Sequence, residues 1–269
     1  MQRRQFLSLV GLGGVALGGA AVGSVAEAKA SHATTQAARE DGMYAAGPQG
    51  AQQVLWSVPT TDRIAALTFD DGPTPAFTAD VLDILAAAAV PATFFMIGRQ
   101  AASYPSLAAK VAEAGHELVN HTWSHTSAPT LTDAQNIEEI DRGTDAVSAA
   151  TGATLRWYRP PRGMLTGSSL RRAHERQQGV AMWSVTRGPG SIGDTDADGV
   201  RRHLVEAIHP GAIVDLHDGV GASAFGGLGG YSPPLVRRRE AELQALPAVL
   251  DAWKAAGYTL VTLSRLAAF

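Results

Sequence analysis

Short apolar runs alternate with segments of helical periodicity from about residue 52 onward, and this alternation limits the fold more than any other feature. Most of the runs are followed by a helical pattern, which predicts an α/β fold with a parallel sheet, either open or closed into a barrel. In both arrangements the ligand site lies at the carboxyl ends of the strands. The seven predicted strands are residues 64–69, 92–97, 117–120, 155–159, 180–185, 212–216 and 258–262.

Two helix signals stand out in the same region. Thr132 and Gln135 form a capping box ahead of an apolar stripe that stops at Gly152. A second apolar stripe covers residues 243–253, and Pro247 inside it predicts a kink or a break in that helix.

Composition excludes several classes of protein. With 269 residues and 45% hydrophobic content, the chain can bury one substantial core, so we expect a monomer with one catalytic domain over residues 51–269. A formal net charge of −3 without a basic stripe argues against nucleic acid as a partner. The absence of cysteine excludes disulfides, thiolate catalysis and cysteine-ligated zinc.

The N-terminus has the pattern of an export signal. Arg3 and Arg4 precede an apolar run rich in glycine and alanine, which ends at a small-residue cleavage site at Ala28. The paired arginines predict a twin-arginine signal over residues 1–28, followed by a flexible segment over residues 29–50. We therefore expect a secreted or extracytoplasmic protein that meets the membrane only in transit. An uncleaved membrane anchor is the alternative.

Two short polar motifs follow predicted strands. Asp70 and Asp71 precede a Gly-Pro turn that can bring both carboxylates to one rim, although consecutive strand residues point to opposite faces. His121 and His125 have a spacing that a helical turn or a tight loop places side by side. One carboxylate and two imidazoles are a ligand set for a catalytic divalent metal. Each motif alone is an ordinary turn or a chance spacing, so the interpretation depends on the two meeting in space.

Two further polar residues, Arg159 and His217, stand where predicted strands end. An imidazole is a natural proton donor near neutral pH, and a guanidinium can keep a neighbouring carboxylate ionised. The alternatives are a structural ion pair for Arg159 and a hydrogen-bonded core histidine for His217.

Four segments, in this order and spacing, resemble the polysaccharide deacetylases of carbohydrate esterase family four. They are residues 68–73, 121–125, 159–163 and 213–218, and the similarity extends over about residues 51–266. The resemblance implies a distorted (β/α)7-type barrel of mainly parallel strands with a groove-like site. It also implies metal-dependent removal of acetyl groups from N-acetylated or O-acetylated sugars.

The same resemblance implies residue roles. Asp71, His121 and His125 would hold the divalent metal, with zinc as the first choice, and Asp70 would be the general base that deprotonates the activated water. Arg159 would pair with Asp70. The backbone N–H of Arg162 would stabilise the oxyanion, and His217 would protonate the leaving amine.

Two positions depart from the family pattern near His217. Trp183 matches the fourth motif, but the aspartate that normally supports the catalytic histidine is missing after it. Asp215 stands where the family has leucine, and strand residues two apart share a face. Asp215 either replaces the missing carboxylate beside His217 or reshapes the acyl pocket.

A third departure concerns Arg162, which stands where the family most often has an aromatic residue. Either its side chain indicates a different or anionic substrate, or only its backbone N–H matters. With Trp183 and Asp215, it completes the predicted substrate-contacting set.

The sequence therefore predicts an exported, metal-dependent deacetylase of a cell-wall or environmental polysaccharide or oligosaccharide. A non-catalytic glycan-binding protein that retains the metal is one alternative. A metal amidase acting on a small non-sugar molecule is another.

Overall fold

The computed structural model describes residues 53–187, 196–221 and 233–269. The predicted export signal (1–28) and lead-in segment (29–50) lie outside these ranges and stay predictions. Within the described part, no helix combines the length and the apolar composition that crossing a bilayer requires.

One sheet organises the described residues. Its order is β1-β6-β5-β4-β3-β2-β8-β7, with β9 paired to the start of β2, and every pair of neighbouring strands is parallel. The strands are β1 (Val54–Leu55), β2 (Ile64–Asp70), β3 (Thr93–Met96), β4 (Glu117–Asn120), β5 (Trp157–Tyr158), β6 (Gly179–Ala181), β7 (Val185–Thr186), β8 (Ile213–His217) and β9 (Thr259–Val261).

Eight α-helices surround the sheet in the described ranges, most of them between successive strands. They are α1 (Thr78–Ala88), α2 (Gly98–Ser103), α3 (Pro105–Glu113), α4 (Asp133–Thr151), α5 (Gly167–Glu175), α6 (Ala197–Ala207), α7 (Pro233–Ala255) and α8 (Leu263–Leu266). Two short 3₁₀ turns lie at Ala128–Thr130 and Pro161–Gly163. The architecture is the distorted α/β barrel that the sequence resemblance implied.

The segment between β6 and β7 helps the sheet to curl. The backbone N–H of Met182 donates a hydrogen bond to the Leu55 carbonyl at 2.7 Å. Two residues later, the N–H of Ser184 donates to the Ile213 carbonyl at 3.0 Å. The chain therefore crosses from one edge of the sheet to the other. The single strand predicted for residues 180–185 is wrong for this reason, because the run divides into β6, which lies next to the edge strand β1, and β7, which forms the other edge.

The helix signals are confirmed in one case and corrected in the other. Thr132 caps α4 with the predicted reciprocal capping box, and Gly152 ends the helix in the left-handed conformation at φ 70°. By contrast, the predicted break at Pro247 is wrong, because α7 continues through that residue, whereas the predicted kink stays a prediction. Buried side chains on both sides of the proline, among them Leu246 and Trp253, offset the hydrogen bond that it cannot donate.

Strand β2 shows how the barrel directs its side chains. Ala65, Leu67 and Phe69 belong to the apolar cluster shared with the helices, whereas Ile64 and Ala66 belong to a second cluster with Phe95 and Ile213. Because side chains alternate along a strand, Thr68 and Asp70 share the second face. The apolar residues of that face thus give way to polar residues toward the carboxyl end of the barrel.

Candidate active site and metal centre

The carboxyl ends of four strands bring the predicted site residues together. Asp70 is the last residue of β2 and lies beside His217, the last residue of β8, in the parallel register. His121 directly follows β4, and Arg159 directly follows β5. The expectation that all four stand at strand ends is confirmed.

Asp71, His121 and His125 form a compact group of ligand atoms. Asp71 Oδ1 lies 3.3 Å from His125 Nε2 and 3.8 Å from His121 Nε2, and one ligand atom from each residue lies within 4.8 Å of the others. All three residues are buried. Asp71 Oδ1 accepts no hydrogen bond from the described residues, which is costly for a buried carboxylate oxygen and is a cost that a cation bound by this group would remove. The donor set fits a divalent metal.

Left-handed backbone conformations produce this arrangement. Asp71 has φ 78°, which breaks the alternation of the strand and turns its carboxylate to the same side as that of Asp70. Thr122 and His125 have φ 67° and 59°, so the two histidines lie on a tight loop rather than on a helix. The Thr122 hydroxyl accepts the His125 N–H at 3.0 Å and stabilises that loop.

The protonation states of these ligands also suit a metal. His121 Nδ1 lies 2.8 Å from the Arg159 carbonyl, which can only accept, so Nδ1 carries the proton and Nε2 keeps its lone pair. Burial lowers the pKa of His121 to about 3 and also lowers the pKa of His125. Burial would raise the pKa of Asp71, but His125, His217 and Arg239 outweigh it and lower that pKa to about 2. Two neutral imidazoles and one carboxylate therefore face one another.

Glycines keep the space around the ligands open. A Cβ at Gly219 would lie 2.2 Å from the Asp71 carbonyl oxygen, and one at Gly221 would lie 3.2 Å from Asp71 Oδ1. Gly221 also has φ 62°, which favours glycine. The segment after β8 can approach the ligand loop closely only without side chains at these positions.

Arg159 joins two carboxylates at the floor of the site. Its guanidinium is fully buried, and Nη1 donates to Asp70 Oδ1 at 2.6 Å and to Asp215 Oδ1 at 3.2 Å. The other guanidinium nitrogens donate to the Ala181 and Met182 carbonyls at 3.1 and 2.9 Å. The predicted pairing of Arg159 with Asp70 is confirmed, and Asp215 shares the same nitrogen.

Burial dominates the electrostatics of Asp70. It raises the pKa of Asp70 well above its ordinary value, Arg159 opposes this rise, and the like charge of Asp215 adds to it. Asp70 Oδ2 also lies 3.5 Å from His121 Nε2. The free carboxylate oxygen of Asp70 therefore lies beside the ligand group and is poised to accept a proton.

His217 has a carboxylate partner that sequence reasoning missed. Its Nδ1 lies 3.2 Å from Glu242 Oε2 on α7, whereas the carboxylate of Asp215 is hydrogen-bonded to Arg159. Burial and Arg239 would lower the pKa of His217, but Glu242 and Asp215 outweigh them and raise it to about 9. The hypothesis that Asp215 takes the place of the missing carboxylate is therefore supported for its charge, which raises the pKa of His217, but not for the hydrogen bond to the ring. Asp215 contributes charge, and Glu242 makes the hydrogen bond.

Arg239 and Glu242 gave no signal in the sequence, because Arg237, Arg238, Arg239 and Glu240 read together as a solvated helix face. The register of α7 turns Arg239 and Glu242 inward, with 7% and 2% exposure. Arg239 Nη2 donates to Asp71 Oδ2 at 3.3 Å, which joins α7 to the ligand group.

The remaining predicted residues lie at the same carboxyl end of the barrel. Arg162 has φ 57°, its side chain is exposed, and its Nη1 donates to the Ser127 hydroxyl, two residues after His125. The half-buried ring of Trp183 lies 5.7 Å from the Arg159 guanidinium, and a Cβ at Gly163 would lie 3.1 Å from it. The structure thus brings all nine predicted site residues to the carboxyl end of the barrel.

Comparisons with known proteins agree with this geometry. The family model described as polysaccharide deacetylase matches residues 57–182. A peptidoglycan-N-acetylglucosamine deacetylase of Bacillus cereus is 32% identical over 213 residues, which cover 79% of this chain and 92% of that protein. The chain belongs to the polysaccharide deacetylase family. It is thus a member of a family of hydrolases that remove acetyl groups.

Two further relatives of the family extend the comparison. A chitooligosaccharide deacetylase of Rhizobium leguminosarum bv. trifolii is 34% identical over 205 residues, covering 76% of this chain and 92% of that protein. The solved structure of the Bc1960 peptidoglycan N-acetylglucosamine deacetylase superposes with a TM-score of 0.69 at 26% identity. That match covers 79% of this chain and 92% of the other.

Proposed function

We propose that the protein is an exported, metal-dependent deacetylase that removes acetyl groups from N-acetylglucosamine polymers or oligomers. The observation that carries the proposal is the convergence of Asp71, His121 and His125 beside the ion pair of Asp70 and Arg159. Relatives named for peptidoglycan and chitooligosaccharide deacetylation support this substrate class. Removal of O-acetyl groups is a variant of the same chemistry.

Asp71, His121 and His125 would hold the cation, and zinc is the proposed metal because it favours two imidazoles and a carboxylate. A divalent cation bound there would supply Lewis acidity, which activates water and polarises the acetyl carbonyl. The Arg159 carbonyl fixes the His121 tautomer and so presents Nε2 to the cation.

Asp70 would act as the general base. Its carboxylate is oriented by Arg159 through the 2.6 Å hydrogen bond and lies beside the three ligands, so it can take a proton from the attacking water. The burial that raises the pKa of Asp70 makes it a stronger base than an exposed aspartate. Arg159 opposes that rise in pKa and orients the carboxylate.

His217 would act as the general acid. The raised pKa of about 9 keeps the imidazole protonated at neutral pH, as protonation of a leaving amine requires. The backbone N–H of Arg162 is the proposed donor to the oxyanion of the acetyl group. Trp183 would contact the sugar through its half-buried ring.

The proposal also includes export through the twin-arginine route, which the Arg3-Arg4 pair and the apolar run up to Ala28 support. Changing both arginines to lysine in the full chain should abolish export. Fractionation of the expressing bacterium tests this. Equal amounts of the wild type and the variant outside the cytoplasm would contradict it.

Acetate release tests the enzymatic proposal. Purified protein is stripped with a chelator, reloaded with zinc and incubated with chitooligosaccharide, peptidoglycan or acetylxylan. We expect zinc-dependent acetate release from at least one N-acetylglucosamine substrate, and a loss of about 10²–10⁴-fold in Asp70→Asn. Asp83→Asn on the exposed face of α1 is the matched control and should retain activity. No acetate from any substrate would favour a glycan-binding protein or an amidase for a small non-sugar molecule.

A further inference from the structure

Helix α7 presents two buried charged residues to the carboxyl end of the barrel. Arg239 and Glu242 stand three positions apart and are ion-paired with each other, with Nη1 to Oε1 at 3.0 Å. Glu242 is 2% exposed and Arg239 is 7% exposed. Buried charges of this kind are destabilising unless fully paired, so their partners indicate why they are placed there.

Glu242 makes two contacts with one residue of the site. Its Oε2 accepts the backbone N–H of His217 at 3.0 Å and lies 3.2 Å from Nδ1 of the same residue. Its Oε1 accepts from Arg239, and Arg187 Nε lies 3.7 Å away. Burial would raise the pKa of Glu242, but Arg239 and His217 outweigh it and lower the pKa, so Glu242 is ionised.

An ionised carboxylate can only accept hydrogen bonds, so Nδ1 of His217 must carry a proton in both the charged and the neutral imidazole. Nε2, on the other edge of the ring, is then the nitrogen that gains or loses a proton. The additional bond to the backbone N–H fixes the carboxylate relative to the strand, which leaves the ring little rotational freedom.

Arg239 extends the same set of contacts to the ligand group. Its Nη2 donates to Asp71 Oδ2 at 3.3 Å, and its Nε donates to the Gly219 carbonyl at 2.5 Å. One guanidinium thus holds both Glu242 and the carboxylate oxygen of Asp71 that does not face the histidines.

We propose that Glu242 is a positioning residue that holds His217 in the Nδ1-protonated tautomer with Nε2 free to protonate the leaving group, and that Arg239 ties this pair to Asp71. The inference deepens the proposed function and rests on it. Five charged groups face His217: Glu242 and Arg239 from α7, Asp215 from β8, and Asp70 and Asp71 from the end of β2. Among these, Glu242 makes the hydrogen bond to the ring.

In the reaction, the oxygen of water forms a bond to the acetyl carbon while Asp70 accepts one of its protons. The bond between the acetyl carbon and the sugar nitrogen breaks, and Nε2 of His217 gives its proton to that nitrogen. The products are acetate and a free amine. Glu242 keeps its charge throughout and exchanges no proton, since Nδ1–H stays in place.

Leaving-group dependence separates positioning from a structural role. An amide leaving group needs a proton, whereas the 4-nitrophenolate of 4-nitrophenyl acetate departs without one. In Glu242→Gln we expect kcat for chitooligosaccharide to fall about 10- to 100-fold with KM changed less than threefold. We expect the rate on the aryl ester to stay within threefold of the wild type. Glu240→Gln, on the exposed face of the same helix, is the matched control and should change neither rate. Equal losses on amide and ester would overturn the proposal.

Nitrogen NMR of the zinc-loaded protein with ¹⁵N-labelled histidine provides a test that needs no turnover. The His217 signals are assigned by their loss in His217→Gln. Spectra recorded above the pKa of the ring, which is about 9, should report a neutral imidazole protonated at Nδ1. Glu242→Leu, whose side chain accepts no hydrogen bond, should lose that preference, and an unchanged tautomer would overturn the proposal. Absence of acetate release by the wild type would contradict the proposed function, whereas the tautomer would still decide the contact with Glu242.

Glu242→Asp is a second variant that tests the proposal even if Glu242→Gln fails to fold. It keeps the buried negative charge between Arg239 and Arg187 but withdraws the carboxylate by one methylene. We expect it to fold and still to lose amide turnover more than ester turnover. Wild-type rates on both substrates would show that the placement of the carboxylate is unimportant, which contradicts the proposal.

Discussion

Removing the charge of Arg159 should destabilise the protein strongly. Arg159→Met keeps a long apolar side chain in the same volume but leaves Asp70 and Asp215 buried without the guanidinium that contacts both. Breaking a buried ion pair by deleting one partner costs about 3–5 kcal/mol. We therefore expect the free energy of unfolding of the metal-free protein to fall by about 4 kcal/mol at pH 7.5. Arg156→Met, an exposed change just before β5, should cost less than about 0.5 kcal/mol.

The second carboxylate makes this prediction sharper. Asp70 and Asp215 both accept a hydrogen bond from Nη1 of Arg159. In the Arg159→Met background, Asp215→Asn should therefore leave one buried carboxylate without a cationic partner where Arg159→Met alone leaves two. A double-mutant cycle should then give a coupling free energy of about 1–3 kcal/mol, so that the double variant is more stable than additivity predicts.

The same variant should depend on pH in a defined direction. Arg159 lowers the pKa values of Asp70 and Asp215, so its removal raises both further above the values of the unfolded chain. Groups with raised folded-state pKa values stabilise the fold at low pH and lose that contribution as pH rises. The destabilisation should therefore be larger at pH 8 than at pH 5. Urea unfolding in the presence of a chelator measures the loss of stability. A loss below about 1 kcal/mol at pH 8, or strict additivity with Asp215→Asn, would show that Arg159 does not compensate the two buried carboxylates.

The remaining predictions concern His217, the ligand group and the loop after β8. The pKa of His217 is raised from 6.5 to about 9, so its contribution to stability should be complete below pH 6.5 and lost as pH rises through 9. Comparing wild type with His217→Gln by urea unfolding of metal-free protein should reveal a contribution of about 3 kcal/mol that vanishes by pH 10. A difference independent of pH would contradict it. His125→Ala should weaken zinc binding at least 100-fold in a competition titration, whereas His174→Ala, far along the chain on α5, should not. Gly219→Ala should lower zinc affinity and thermal stability together, because its Cβ would lie 2.2 Å from the Asp71 carbonyl oxygen. A variant with wild-type zinc affinity would show that this close approach is dispensable.

Local sequence patterns were sufficient to predict the strands that carry the site. The run before Asp70 is apolar except for Thr68, and the run before His217 is apolar except for Asp215. Both runs are buried, and each ends within one residue of its predicted limit. The parallel α/β pattern then implies that their carboxyl ends meet, so residues far apart in the chain could be grouped into one site from the sequence alone.

Non-local contacts explain what sequence reasoning missed. Residues 180–185 have the pattern of a single strand, and the local sequence does not indicate that the Met182 N–H is hydrogen-bonded to β1 and the Ser184 N–H to β8. Glu242 could not be assigned to His217, because only the register of α7 against the barrel decides which of its many charged residues turn inward. The Gly-Pro turn indicated that Asp70 and Asp71 could reach one rim, but the left-handed backbone of Asp71 that brings its carboxylate there was not evident from the sequence.

Zinc stoichiometry, measured by isothermal titration calorimetry, tests the proposed metal centre, with acetate release from chitooligosaccharide followed in the same samples. We expect one zinc per wild-type chain, no measurable site in Asp71→Ala, and acetate release that rises in proportion to bound zinc. Full activity in chelator-treated protein, or one zinc retained by Asp71→Ala with its affinity unchanged, would contradict it.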